Sequence, residues 1–139
     1  MRGKWTVLAF LCVLFVVYTI DRALLGLLAI PIQNETGMSN VRFGILSSGI
    51  FWSYALIAPF AGLAGDRFDR KRLIAFAVTG WSAMTFLAGF ADGFWSLFAL
   101  VSFAIVIPQT LYSPAASALI ASLHAETRTM AMSCHQAAF

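Results

Sequence analysis

The stretch Gly62-Leu63-Ala64-Gly65-Asp66-Arg67-Phe68-Asp69-Arg70-Lys71-Arg72 decides how the rest of the chain is read. It sets six charges into the seven residues 66–72, between two runs, 43–65 and 73–91, that contain none. A third run, 93–123, is also free of charge. A first apolar stretch, from Trp5 to about Ile30, is interrupted only by Asp21–Arg22. A helix needs roughly 20 mainly apolar residues to cross the hydrocarbon core. Charge confined to the joints between such runs marks a polytopic membrane protein.

Composition agrees. Of 139 residues, 60% are hydrophobic and 11% charged, against about 25% charged in an ordinary soluble domain. A soluble domain of this size keeps too much surface exposed to hide so many apolar side chains. Disordered, nucleic-acid-binding and secreted disulfide-rich classes are excluded on the same ground. The net charge of +3 then reads as lysine and arginine marking cytoplasmic loops. Cys12 and Cys134 lie far apart in apolar stretches. They read as buried small hydrophobes rather than a disulfide or metal pair.

The expected fold is all-α and polytopic. It has four complete transmembrane helices, about 5–29, 42–64, 72–91 and 94–122, and the start of a fifth over 128–139. The connectors are Pro31–Asn40, Gly65–Lys71, Asp92–Gly93 and Leu123–Thr127. Trp5, Phe94 and Trp95 near span ends suit the membrane interface. The spans must be helical, because lipid offers no partners to unpaired backbone groups. A β-barrel would need period-two alternation, which is not visible. The first span has a basic start but no small-x-small cleavage site, so it reads as an anchor rather than a signal peptide. Arg2 and Lys4 precede span one, and Arg67, Arg70, Lys71 and Arg72 fill the second connector. Arg128 stands at the fourth connector. The positive-inside rule therefore predicts a cytoplasmic N-terminus in the plasma membrane, or in the inner membrane of a bacterium.

Asp21 and Arg22 sit some 17 positions into the first helix, about 25 Å along it and past the midplane. Ionisable residues there cost on the order of 2.5–3.5 kcal/mol on insertion scales and normally face a bundle interior or an aqueous cavity. A guanidinium matches carboxylate and phosphate geometry, so Arg22 is a candidate for holding an anion. Asp21 has the chemistry to carry a proton. Three plainer readings stand beside this one: mutual neutralisation, a helix end, or Arg22 snorkelling outward. Adjacent helical residues point about 100° apart, which makes direct pairing awkward. The mostly apolar residues after the pair argue against a helix end.

In the connector after span two, a positive-inside anchor explains the basic residues but not Asp66, Asp69 or the glycines. Ala58, Ala61, Gly62 and Gly65 are small enough to let helices approach closely. The segment resembles the signature loop between helices two and three of the major facilitator superfamily, Gly-x-x-x-Asp-Arg-x-Gly-Arg-(Arg/Lys)-(Arg/Lys). Gly62, Asp66, Arg67, Arg70, Lys71 and Arg72 match it, and Asp69 stands where the pattern has glycine. The resemblance implies a conformational latch, with Asp66 as its acid and Arg67 and Arg70 as partners. Asp21–Arg22 with Leu25, and the stretches Gly44-Ile-Leu-Ser-Ser, Trp52-Ser-Tyr-Ala, Ala58-Pro59 and Ser113-Pro-Ala-Ala, resemble two branches. These are the organic anion:cation symporters and the spinster-like lipid transporters.

By that resemblance the chain is part of a secondary transporter of small organic anions, sugar acids or carboxylates, or of lysolipid-like anions. It would work by alternating access and be proton-coupled. Arg22, Tyr18, Gln109 and Tyr112 are the substrate-binding candidates, and Asp21 is the proton-coupling candidate. Expected partners are the anion, protons or cations as coupling ion, the bilayer, and a C-terminal half of the same chain. No cofactor, metal or nucleic acid is implied. Span four departs from the family: Ser102 and Gln109 fall where it has Arg and Glu, and Pro108 replaces a glycine. Pro108 and Pro114 are expected to kink that span. The freed backbone groups either line a cavity or are relieved by packing. His124 is expected in the fourth connector, with His135 and Gln136 early in span five as weaker cavity candidates.

No nucleotide loop, paired-histidine motif or CxxC occurs, and no nucleophile has partners arranged for catalysis, so an enzyme is not expected. Two alternatives remain: a small membrane protein without transport activity that serves as an assembly partner, and a multidrug efflux pump of the same fold. The superfamily has twelve helices in two halves. The chain therefore reads as an N-terminal fragment, a partial half-domain over 1–139.

Overall fold

A computed structural model of the chain describes residues 2–137. The elements run α1 (Arg2–Leu27), α2 (Ala29–Thr36), α3 (Asn40–Arg67), α4 (Arg70–Ala88), α5 (Phe94–Ala99), a π-helical segment (Leu100–Ile105), α6 (Val106–Leu123) and α7 (Arg128–Gln136). No strand occurs among the described residues. Three helical stretches are long and apolar enough to cross a membrane: Gly3–Leu27, Asn40–Arg67 and the continuous Phe94–Leu123. Helix α4 has 19 residues but opens on Arg70-Lys71-Arg72, so its apolar part is shorter. Its full length of about 28 Å still approaches the ~30 Å hydrocarbon core. Residues 128–136 begin a further helix, α7.

Helix ends shift by a few residues from the expected spans, as frayed ends do. The connector over Pro31–Asn40 needs correction, because most of it is helix α2. Pro31 has no N–H to give to the carbonyl four residues back, Leu27, which is where α1 ends. The break is confined to one turn, since Leu28 N–H still bonds Leu24 O at 2.8 Å and Ile32 N–H bonds Leu28 O at 2.9 Å. At the third residue of α2 a proline costs little, because the N–H groups of a first turn have no intrahelical partner. Gly37, with φ 64°, then ends α2 in the left-handed conformation that favours glycine.

The helices pack through small residues. Ala61, Ala77, Ala115, Ala116 and Ala131 are fully buried, while Phe10, Phe60, Phe86 and Trp95 face outward. Lipid tails are as apolar as leucine, so association rests on close backbone approach rather than on apolar burial. Helix α6 is the hub, packed most extensively on α4 and then α3. An aromatic cluster ties α1, α4 and α6 together. Tyr18 stacks on Tyr112 with centroids 6.0 Å apart, and Trp81 meets both rings edge-on.

The tightest crossing joins α3 to the π segment. A Cβ on Gly49 would lie 2.6 Å from Ser102 Oγ and 2.7 Å from Phe98 Cε2. Ser102 is fully buried and its hydroxyl donates to Leu46 O at 3.3 Å. The π turn ends just before Pro108, which supplies no N–H to the helix. A local widening is one way a helix absorbs such a defect.

The cysteines also need correction. Cys12 is half-buried and Cys134 exposed. They are not remote, because the Cys12 thiol points at Cys134 O, 3.8 Å away, across the contact between α1 and α7. Sequence separation hid a neighbourhood that the return of α7 onto α1 creates.

Candidate functional site

Arg22 and Asp21 both line a cavity of about 570 Å³. Helix α1 supplies this pair with Leu25, α3 supplies Ser47, Ile50 and Phe51, and α4 supplies Thr85. The π segment adds Val101 and Ile105, α6 adds Gln109, and α2 adds Glu35 and Thr36. Leucine, isoleucine, valine, phenylalanine, alanine and glycine make up two thirds of the wall, and the polar groups among them set its chemistry.

Arg22 is held by aromatic rings. Its Nη1 donates to Tyr18 Oη at 2.9 Å, one helical turn earlier. Its guanidinium lies 5.7 Å from the Tyr18 ring centroid and 5.3 Å from that of Tyr54 on α3. Cation–π contacts of this kind hold a cation without neutralising it. A guanidinium has five N–H donors, and only the Tyr18 bond engages one among the described residues. No ion pair joins Arg22 to Asp21 among the described residues. The pair therefore presents a cation and a carboxyl to one space rather than to each other.

Four substrate candidates came from the sequence. Arg22 and Gln109 meet at the cavity, with Gln109 only 6% exposed. Tyr18 reaches the site through its bond to Arg22. Tyr112 is placed differently: it is fully buried and its hydroxyl donates to Leu11 O at 2.8 Å, tying α6 to α1. Tyr54 was missed as a site residue. An intramembrane tyrosine whose hydroxyl has no obvious turn partner was the available signal.

The charged connector adopts a definite geometry. Asp69 caps α4, its Oδ1 accepting from Arg72 N–H at 3.0 Å. Its φ of −59° demands no glycine, and aspartate is among the best N-caps. The departure from the glycine pattern thus has a structural use. Arg70 Nη1 donates to Ala118 O of α6 at 3.1 Å. Asp66, Arg67, Lys71 and Arg72 are exposed, and Asp66 has no side-chain partner among the described residues. Gly65 is buried, and a Cβ on it would lie 4.0 Å from Pro114 Cβ, whereas one on Gly62 would meet open space.

The same end of the bundle is fastened by His124. Its Nε2 contacts Lys4 O at 3.2 Å and its Nδ1 contacts Thr127 Oγ1 at 3.1 Å. A carbonyl only accepts, so Nε2 carries a proton. Trp5 packs edge-on against the ring at 4.8 Å. His135 lies buried against Phe15, 4.5 Å between centroids, with neither ring nitrogen partnered among the described residues. It is not part of the cavity wall, and Gln136 is exposed. No group of three or more potential metal ligands occurs among the described residues.

The profile of the Major Facilitator Superfamily matches residues 10–139. The chain belongs to this superfamily. It is 32% identical over 117 residues to the sphingosine-1-phosphate transporter of Mus musculus, covering 82% of this chain and 21% of that protein. Over 96 residues it is 31% identical to a probable galactarate/D-glucarate transporter of Escherichia coli (strain K12), covering 67% and 22%. The protein spinster of Drosophila melanogaster is 28% identical over 122 residues, covering 88% and 20%. The chain thus spans about a fifth of the length of these relatives. It is a transporter-type segment of the anion-transporter and spinster kind, and the mouse and Escherichia coli relatives are named as transporters.

Proposed function

We propose that the chain forms part of the N-terminal six-helix half of a secondary transporter for organic anions that works by alternating access. The observation that carries this reading is Arg22, a cation inside an apolar bundle that lines a cavity and is oriented by two tyrosines. Arg22 binds the anionic group, Tyr18 and Tyr54 hold it in place, and Gln109 hydrogen-bonds a polar part of the ligand. Tyr112 sets the spacing of α1 and α6 behind them.

Asp21 supplies the coupling. When it is ionised, the Asp21–Arg22 pair is neutral overall, and an added anion carries its full charge into low dielectric. When it is protonated, the anion meets an uncompensated guanidinium. Anion binding and protonation of Asp21 therefore favour each other, and such linkage is reciprocal.

On a reading of four complete spans and the start of a fifth, both basic connectors and the N-terminus fall on one side, which we assign to the cytoplasm. The Asp66 carboxylate, free at that end, is the latch acid for the other half, with Arg67, Lys71 and Arg72 beside it. Arg70 braces α4 on α6, and Gly62 keeps the surface before the latch small.

The apolar part of the wall suits an anion with an apolar portion, while Ser47, Thr85 and Gln109 offer partners to the hydroxyls of a sugar acid. Uptake by the full-length gene product in proteoliposomes, with an inward proton gradient, tests both arms: a sugar acid such as D-glucarate, and sphingosine 1-phosphate. Gradient-stimulated uptake of either anion supports the reading, and the preferred one names the class. No uptake of any organic anion would leave the assembly-partner alternative, and uptake of cationic drugs alone would leave the efflux alternative.

A further inference from the structure

Helix α3 has two working faces. Ser47, Ile50, Phe51 and Tyr54 look toward Arg22. The other face, with α5 and the π segment, forms a separate apolar groove of about 530 Å³. Its walls include Val41, Ile45, Trp52 and Leu56 on one side and Phe98 and Phe103 on the other. Gly44 and Gly49 keep its floor low. From Val41 to Leu56 it follows α3 for about 22 Å, more than the ~15 Å depth of one hydrocarbon leaflet.

One end of this groove is charged. Arg42, beside Val41, places its guanidinium 5.8 Å from the Phe94 ring centroid. Phe94 stacks on Phe98 at 5.7 Å, and Phe98 meets Phe103 edge-on at 5.9 Å. A ladder of rings thus leads from a cation at the membrane boundary down the apolar groove. Arg42 has no carboxylate partner among the described residues. Cation above and apolar channel below is the complement of one molecule: a phosphate headgroup at the interface with an acyl chain descending from it. A transmembrane helix would match the apolar channel but would leave the guanidinium without its anion.

We propose that the α3–α5 groove is a binding site for a bilayer glycerophospholipid, with its phosphate on Arg42 and one acyl chain lying along Ile45 to Leu56. The site is distinct from the Arg22 cavity and does not depend on what that cavity carries. The bound lipid covers the Gly49 crossing from the membrane side and lets the bundle end facing away from the Arg70 connector take its register from the headgroup layer.

The test uses the full-length gene product in vesicles containing phosphatidylglycerol with a photoactivatable acyl chain, and in parallel the matching diacylglycerol, which has the chain but no phosphate. Cross-linked peptides are mapped by mass spectrometry. Labelling of the 45–56 and 98–103 segments should be several-fold stronger with the phospholipid. Arg42→Gln should reduce it to the diacylglycerol level. Ser48→Trp, which fills the groove, should abolish labelling, while Phe60→Trp, an exposed change elsewhere on α3, should not. The proposal is overturned by equal labelling with both lipids, by labelling unchanged in Arg42→Gln, or by no labelling because another helix or a second copy occupies the groove. Uptake through the Arg22 cavity is not read by this assay, so the two readings fail separately.

Discussion

Gly49→Ala probes the tightest crossing in the bundle. The new methyl would lie 2.6 Å from Ser102 Oγ, 2.7 Å from Phe98 Cε2 and 3.1 Å from Phe98 Cζ. Heavy-atom contacts are optimal near 3.5–4.0 Å, so these neighbours must withdraw by about 1 Å. Ser102 can turn away only by giving up its bond to Leu46 O, about 0.5–1.5 kcal/mol. Phe98 is held between the Phe94 stack and the Phe103 edge, and displacing such a ring by overpacking costs about 1–3 kcal/mol. Alanine repays up to about 1 kcal/mol through its better helix propensity. The net expectation is a loss of roughly 1–3 kcal/mol. Reversible unfolding in lipid–detergent bicelles measures it. A double-mutant cycle sharpens it: on a Ser102→Ala background the oxygen is gone but the ring remains, so Gly49→Ala should cost less by about 0.5–1.5 kcal/mol. A Gly49→Ala protein as stable as the parent, or a cycle with no coupling, would refute the close approach of α3 to the π segment.

Other residues give sharper contrasts. Asp69→Ala should cost about 1 kcal/mol through the lost cap on α4, while Asp69→Gly, the residue of the family pattern, should cost only a few tenths; the same unfolding assay separates them. Arg70→Gln removes a charge-assisted bond to Ala118 O and should destabilise by about 1.5–3 kcal/mol. Faster proteolysis at the α3–α4 connector would register the change. Tyr112→Phe removes the second hydrogen bond to Leu11 O, which still accepts from its own helix, and should cost about 0.5–1.5 kcal/mol while leaving the apparent KM for the transported anion unchanged. A raised KM without loss of stability would return Tyr112 to the binding site.

Much of the architecture was readable because charge and apolarity alternate in long blocks. The charge-free runs 43–65 and 93–123 became α3 and the continuous stretch from α5 to α6. The Asp21–Arg22 pair did reach a cavity, since apolar surroundings leave an ionisable pair little choice of direction. What escaped reading depends on three-dimensional neighbours. Helix α2 hid because Pro31 reads as a breaker, whereas at a first turn it is tolerated. Asp69 looked like a misfit in a glycine pattern and is a cap. The nearness of Cys12 to Cys134 follows from α7 returning along α1, and the contact of His124 with Lys4 O from the end of α6 meeting the start of α1, fold-level events no local window contains. Tyr54 was legible only as an aromatic in a span, and its role appears once α3 faces Arg22.

On the proposed reading, Arg22 holds the transported anion by charge and by fork geometry together. The direct measurement is equilibrium binding of that anion to the purified full-length protein and to its Arg22→Ala and Arg22→Lys variants, with folding checked by unfolding midpoint. Truncating one partner of a buried charge pair costs about 2–5 kcal/mol, so Arg22→Ala should weaken binding by about 30-fold or more. Arg22→Lys, which keeps the charge but loses the fork, should fall between the two. Folded variants that bind the anion as tightly as the parent would contradict that role for Arg22.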